Sequence, residues 1–423
     1  MTKRLLIIAY NFPPMGGGGV QRTVKFVKYL PRFGWESVVL AASDPGYWAV
    51  DTSLSADIPD DTHVERIPAG GRLPVVSILS RIVGRKFARS LGELLFFPDE
   101  NISWAKKAAR RGVRLARERP VDAVFSTSPT PSAHTAAQKI SRRMHLPWVA
   151  DFRDLWSGDY RRGTDPSWIE DRRLAAEGRI LTSAHHAVCA TEGFRTCFIE
   201  RHRLDPRKIT AIHNGFDPDD FPDVGSRKKK PDDAPISIIH SGSLYGEGLP
   251  EAFLYGVARL RETAPEIFRR LSIRFIGVMD DDIAKRIGAI LGKSARFDGY
   301  LDHKSAVEAV CRADIALLAA PHGENASLVV HGKLFEYLAS GTPILAAIPG
   351  GEAAEIVERT GTGAVITERD PEDIARILPG AIASLRDGEA FHPDRGKIDA
   401  FNRIRLTGRL AKILDELTES GHA

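Results

Sequence analysis

The chain of 423 residues is 43% hydrophobic and 27% charged, the balance of an ordinary globular protein with room for two or three cored domains. Three cysteines (Cys189, Cys197, Cys311), an odd number without a CxxC pair, point away from a disulfide framework or a zinc site. A reducing, cytoplasmic setting is expected from that cysteine usage, and no run of about 18 apolar residues offers a membrane span.

The net charge of +4 is unevenly spread: residues 71–120 carry twelve Lys/Arg against four Asp/Glu, leaving the rest slightly acidic. That favours a local anionic partner. A nucleic-acid partner, which wants a broad basic face interleaved with aromatics, is not expected.

The chain opens with MTKRLLIIAYNFPP, which imitates a signal peptide. Its apolar run spans only residues 5–10 and meets Asn-Phe-Pro-Pro instead of a small-residue cleavage site, so it reads as a buried first strand. The glycine run GGGGVQR and a helical pattern over residues 20–29 follow, then the strand SVVLAA. DAVFST, PWVADF, HHAVCA and ITAIHN are further short apolar runs, with amphipathic stretches between them. Strands alternating with helices predict a parallel sheet covered on both faces. Residues 223–235, DVGSRKKKPDDAP, break the pattern and read as a linker. A second set then begins, with ISIIHSG, LSIRFIGV, ARFDGYL, ADIALLAA, TPILAAI and GAVIT. The expectation is therefore an α/β protein of two doubly wound, Rossmann-like domains, at residues 1–222 and 236–395. A C-terminal helical segment, 396–423, is expected to cross back onto the first domain. Ligands of such sheets bind outside the carboxyl ends of the strands, which places function in a cleft between the domains.

Gly16, Gly17, Gly18 and Gly19 sit between a strand and a helix, where backbone N–H groups can meet an anion. A dinucleotide fingerprint fails because Gln21 stands at the third glycine position, and the strand SVVLAAS has no closing acid, which disfavours an NAD-dependent oxidoreductase. A P-loop fails because Val20-Gln21-Arg22 replaces Gly-Lys-Ser/Thr. A phosphate-facing or sugar-facing loop and a plain tight turn both remain.

In HGKLFEYLASGTPIL, helical spacing turns Leu334, Tyr337 and Leu338 inward and leaves Lys333 and Glu336 as an i,i+3 pair. A carboxylate there can bind a diol, as acids do with ribose, and Lys333 can neutralise a phosphate. The same pair could equally be a surface ion pair worth about 0–1 kcal/mol.

The order of these segments resembles the retaining GT-B glycosyltransferases of family four (group 1), in the branch that builds cell-envelope polysaccharide and glycolipid. The likeness runs through YNFPPMGGGGVQRTVKF, FPDENISW, STSPTPSAH, PWVADFRDLW and IHNGFDPDDF, and then IIHSGSLY, FDGYLDH, RADIALL and KLFEYLASGTPIL. It implies a nucleotide-sugar donor, UDP before other nucleotides, used as a substrate with no cofactor or metal. It also implies a sugar or lipid-linked acceptor.

By the same resemblance, Glu336 holds the donor ribose, while Gly16, Gly17, Gly18, Gly242, Ser243, Lys333 and Leu334 are donor-binding. Arg153 stands where many relatives have a histidine, so Arg153 and Asp154 are catalytic candidates together with Lys333. Asp151, His134 and Glu324 are candidates for acceptor or sugar contacts. Two departures matter. Leu328 occupies the place, eight residues before Glu336, where many members have a first glutamate. In addition, no Lys or Arg follows IIHSG until Arg259, so Lys333 and the amides near Gly242 and Gly332 must supply the charge.

In residues 72–89, Arg72, Arg81, Arg85, Lys86 and Arg89 alternate with apolar residues. This suits a helix lying on anionic lipid, peripheral to the inner face of the membrane, or equally a helix packed on its own domain. A UDP-sugar epimerase and a non-catalytic nucleotide-sugar binding protein are the alternative functions on the same plan.

Overall fold

Short, mostly apolar runs pair side by side as parallel strands in two sheets. The structure is a computed structural model describing residues 2–43, 50–69, 95–159, 166–221, 231, 233–244 and 249–420. The chain divides into two units, Met1–His213 with Ile404–Ala423, and Asn214–Arg403.

In the first unit, β1 (Lys3–Ile8), β2 (Trp35–Ser43), β3 (His63–Pro68), β4 (Ala123–Thr127), β5 (Trp148–Phe152), β6 (His186–Cys189) and β7 (Ile209–Ala211) form one sheet in the order β3-β2-β1-β4-β5-β6-β7. Ile7 of β1 lies opposite Val39 of β2 on one side and Phe125 of β4 on the other. The order reverses at β1, and the glycine run lies in the connection between that strand and the next helix. Sequence reading did not anticipate β3, an edge strand whose only buried residue is Ile67. An edge carries too little apolar surface to announce itself.

The second unit holds β8 (Ile236–Ser241), β9 (Leu271–Ile276), β10 (Ala295–Gly299), β11 (Ile315–Ala319), β12 (Ile344–Ala347) and β13 (Gly363–Ile366), ordered β10-β9-β8-β11-β12-β13. Here the reversal falls at β8, which runs into Gly242-Ser243. One face packs on the helices Glu251–Thr263 and Pro371–Asp387 through Leu254, Val257, Leu378 and Ile382. The other face is closed by the helices Gly332–Ser340 and Glu352–Thr360 through Leu334, Phe335, Ile356 and Val357. Both sheets are doubly wound, as the alternation of segments predicts.

The units meet in sequence at His213/Asn214, short of the boundary expected at 222. The reason is local pairing: Phe216 N–H donates to the Phe401 carbonyl (3.0 Å) and Arg403 N–H donates back to the Phe216 carbonyl (2.8 Å). The final helix, Arg403–Ser420, buries Leu406, Leu410 and Leu414 in the first unit's core, where Lys3 Nζ and Trp35 Nε1 both donate to Asp415. The basic stretch at 72–89 and most of the expected linker at 223–235 lie outside the described residues.

Candidate active site

In the second unit the site begins with the end of β8. His240 is 1% exposed, and its Nδ1 lies 3.2 Å from the Leu317 carbonyl of β11. The next residue, Ser241, donates its N–H to Tyr337 Oη at 2.8 Å. These two bonds stitch the strand end to its neighbour and to the helix Gly332–Ser340. Lys333, in the first turn of that helix, reaches back so that its Nζ lies 3.0 Å from His240 Nε2.

The Lys333 amine lies against Gly242, where a Cβ would come within 2.6 Å of Nζ. Gly242 has φ +148°, a conformation side chains rarely adopt. Gly277 permits the close packing underneath: its φ is +131°, and a Cβ there would lie 2.6 Å from the Gly242 carbonyl carbon. Burial pushes the Lys333 amine down to about 8, with Glu336 pulling the other way. Burial, and then the Lys333 charge, hold His240 well below the usual imidazole range.

Glu336 sits one turn after Lys333 with its side chain 19% exposed, 3.9 Å from Nδ1 of His303, whose Nε2 pairs with Asp220 at 2.9 Å. Ser243 is half-buried beside Gly242. Leu334 is corrected from donor contact to core residue: it is fully buried in the apolar cluster with Ile239 and Leu318, and its N–H bonds to the His331 carbonyl. Glu324 is exposed in the turn before the Ala326–Leu328 helical turn, with no ion pair among the described residues.

In the first unit the helix Gly18–Tyr29 starts inside the glycine run, so Gly18 and Gly19 belong to its first turn. Gly17 precedes it with φ +96° and, as a glycine, offers no side-chain cap, while its carbonyl accepts the Val20 N–H at 3.0 Å. A Cβ on Gly18 would meet nothing within 4 Å. Of the four, only Gly17 has a positive φ; Gly16 is buried, and Gly18 leaves open space at the start of the helix.

Arg153 follows β5. Its Nη1 donates to the Gly19 carbonyl, its backbone N–H donates to Ser128 Oγ (2.9 Å), and its buried Nε has no hydrogen-bond partner among the described residues. Burial lowers it to about 10 against the opposing pull of Asp151 and Asp154. Asp154 is half-buried beside it.

The loop they occupy is pinned from below. Buried Glu177 accepts the N–H groups of Trp156 (2.8 Å) and Ser157 (3.4 Å), and Glu170 accepts that of Gly158 (3.1 Å). Such backbone anchoring is what precise placement of Arg153 requires.

Asp151 is corrected from a ligand contact to a scaffold residue. It is fully buried, takes both Nε (3.0 Å) and Nη2 (2.8 Å) of Arg22, and accepts Thr127 Oγ1 at 2.8 Å. His134 is likewise a core residue, fully buried, stacked on Phe152 with Nδ1 2.8 Å from Ser126 Oγ. Burial pushes it down to about 3, so it is neutral.

Sequence reasoning missed Arg22, Glu177, His240 and Gly277. Arg22 did leave a signal: a charge set within the apolar stripe Val20, Val24, Val27. A charge in such a stripe needs a buried partner.

Residues 16–220 match the family described as Glycosyltransferase Family 4, and residues 238–383 match Glycosyl transferases group 1. Across 420 residues the chain is 31% identical to a glycogen synthase of Mycobacterium tuberculosis, covering 96% of this chain and 90% of that protein. The chain belongs to the family-four, group 1 glycosyltransferases.

This glycosyltransferase is also 26% identical over 221 residues to a D-inositol 3-phosphate glycosyltransferase of Streptomyces scabiei, covering 49% of this chain and 48% of that one. Among solved structures, Anabaena HepE in complex with UDP-glucose superposes with a TM-score of 0.64 at 16% identity, covering 98% of this chain and all of the other. At that identity the likeness shows the fold, which is GT-B. Among the described residues no helix is long and apolar enough to cross a membrane.

Proposed function

We propose that this glycosyltransferase moves a sugar from a nucleoside-diphosphate sugar, UDP-linked, to an acceptor hydroxyl with retention at the anomeric carbon, in polysaccharide or glycolipid synthesis. The observation that carries the reading is the Lys333 amine. It is held against Gly242 at the end of β8 by a neutral partner, with Glu336 one helical turn away.

A departing diphosphate gains negative charge as the glycosidic bond breaks, and fixed positive charge in a shielded site stabilises it more in the transition state than in the ground state. Lys333 is assigned that task, with the amides of Gly242, Ser243 and Gly332 beside it. Glu336 is assigned the ribose hydroxyls, which a carboxylate can accept in pairs. On the first unit, Arg153 and Asp154 are assigned to the transferred sugar or the acceptor, and the helix start at Gly18 to an anionic group. The HepE complex with UDP-glucose supports the choice of donor class by analogy of fold.

Incubation with a panel of labelled nucleotide sugars and a membrane extract tests the reading. Label passing to a product only when acceptor is present supports it. Product formed from the donor alone supports epimerisation instead, and no transfer from any donor overturns the proposal.

A further inference from the structure

We propose that His240 is a positioning residue of the donor site: its imidazole holds the Lys333 amine over Gly242 while leaving the charge of that amine for an anionic ligand. The inference rests on the reading that Lys333 meets the donor diphosphate.

Its first support is the tautomer. The Leu317 carbonyl, 3.2 Å from Nδ1, can only accept, so Nδ1 carries the hydrogen and Nε2 presents a lone pair. That lone pair faces Lys333 Nζ at 3.0 Å. Two basic side chains thus meet as donor and acceptor, with the imidazole necessarily neutral.

The second support is what surrounds the amine. From β8 it faces His240 and the Gly242 backbone; from its own helix it feels Glu336 through space, and His331 lies just ahead of that helix. The Tyr337 hydroxyl on that helix is committed to Ser241. Among the described residues no carboxylate lies within 4.0 Å of Nζ. A carboxylate in place of His240 would satisfy the same hydrogen bond and cancel the charge. An imidazole fixes the position and leaves the charge uncompensated, a state that a phosphate relieves. Burial shifts the amine to about 8 against the opposing pull of Glu336, the direction expected of a desolvated ammonium without a hydrogen-bonded carboxylate.

The test is competitive amine labelling of the full-length protein, read at Lys333 by peptide mass spectrometry across about pH 6 to 11, a window bracketing the ordinary lysine value. His240→Phe keeps the ring shape and removes the lone pair; His240→Gln restores an acceptor oxygen. We expect the Lys333 titration to move to lower pH in His240→Phe and to return toward wild type in His240→Gln. UDP affinity should fall about tenfold or more in the Phe variant and recover in the Gln variant, the scale of one hydrogen bond to a charged group.

If His240→Phe does not fold, His240→Met, which also lacks a strong acceptor, takes its place. Identical Lys333 titrations in wild type and the folded Phe or Met variant would overturn the inference. Protection of Lys333 from labelling by saturating UDP is read separately in the wild type. Its absence would count against the donor reading, while the titration still decides the role of His240.

Discussion

Arg22 and Asp151 form a doubly hydrogen-bonded ion pair with neither side chain more than 1% exposed, and it joins the helix after the glycine run to the end of β5. A third Arg22 nitrogen donates to the His213 carbonyl at 2.8 Å, at the last residue of the first unit's main segment. All three Arg22 nitrogens and both Asp151 oxygens are therefore engaged within the scaffold. The glycine turn and the Arg153 loop inherit their positions from it.

Removing one partner leaves a charge buried without compensation, which costs about 3–5 kcal/mol. Asp151→Asn is therefore expected to lower the unfolding free energy from urea titration by about that amount, and Asp154→Asn, on a half-buried side chain three residues later, by far less. Equal losses in the two variants would mean that Asp151 does not carry the scaffold.

Gly242→Ala sets a methyl group 2.6 Å from Lys333 Nζ, closer than contact allows, and forces an L-residue to φ +148°. The backbone strain should cost about 1–3 kcal/mol of stability. The displaced amine should lower kcat/KM well beyond what that stability loss explains. Because the damage acts through Lys333, Gly242→Ala combined with Lys333→Ala should lose little more than Lys333→Ala alone. Fully additive losses in kcat/KM would break the link between the two residues.

His134 gives an acid limit to stability. Its pKa is about 3 in the folded chain against an ordinary 6.5, so between those values the unfolded chain binds the extra proton. Stability conferred by the neutral ring is complete above pH 6.5 and is lost as pH falls toward 3, at up to about 1.4 kcal/mol per pH unit. His134→Phe, which keeps the stack on Phe152, should flatten the acid limb of a denaturation-versus-pH series. An unchanged limb would place the acid sensitivity elsewhere.

Much of the fold was legible in the residues because buried parallel strands are short apolar runs and the runs alternate with amphipathic stretches. The half-buried edge β3 escaped for lack of that signature. In the site, Lys333 and Glu336 could be singled out by helical spacing, since adjacent turns fix which side chains share a face. Asp151 could not be sorted from ligand contacts, because its partner, Arg22, is distant in sequence, whereas spacing alone already turned Leu334 inward and only the family likeness offered it to the donor. His240 escaped for a related reason. An imidazole in a strand reads as core until the amine that reaches it, 93 positions on, is seen in space.

The central claim, that the Lys333 ammonium supplies the charge meeting a nucleoside diphosphate, is tested most directly by calorimetric UDP binding as a function of pH. With the amine titrating near 8, wild-type affinity should hold on the acid side and fall as pH rises through 8. Lys333→Ala should bind UDP weakly, without that limb, at a melting temperature close to wild type. Wild-type affinity in Lys333→Ala, or the same limb without the amine, would contradict the account.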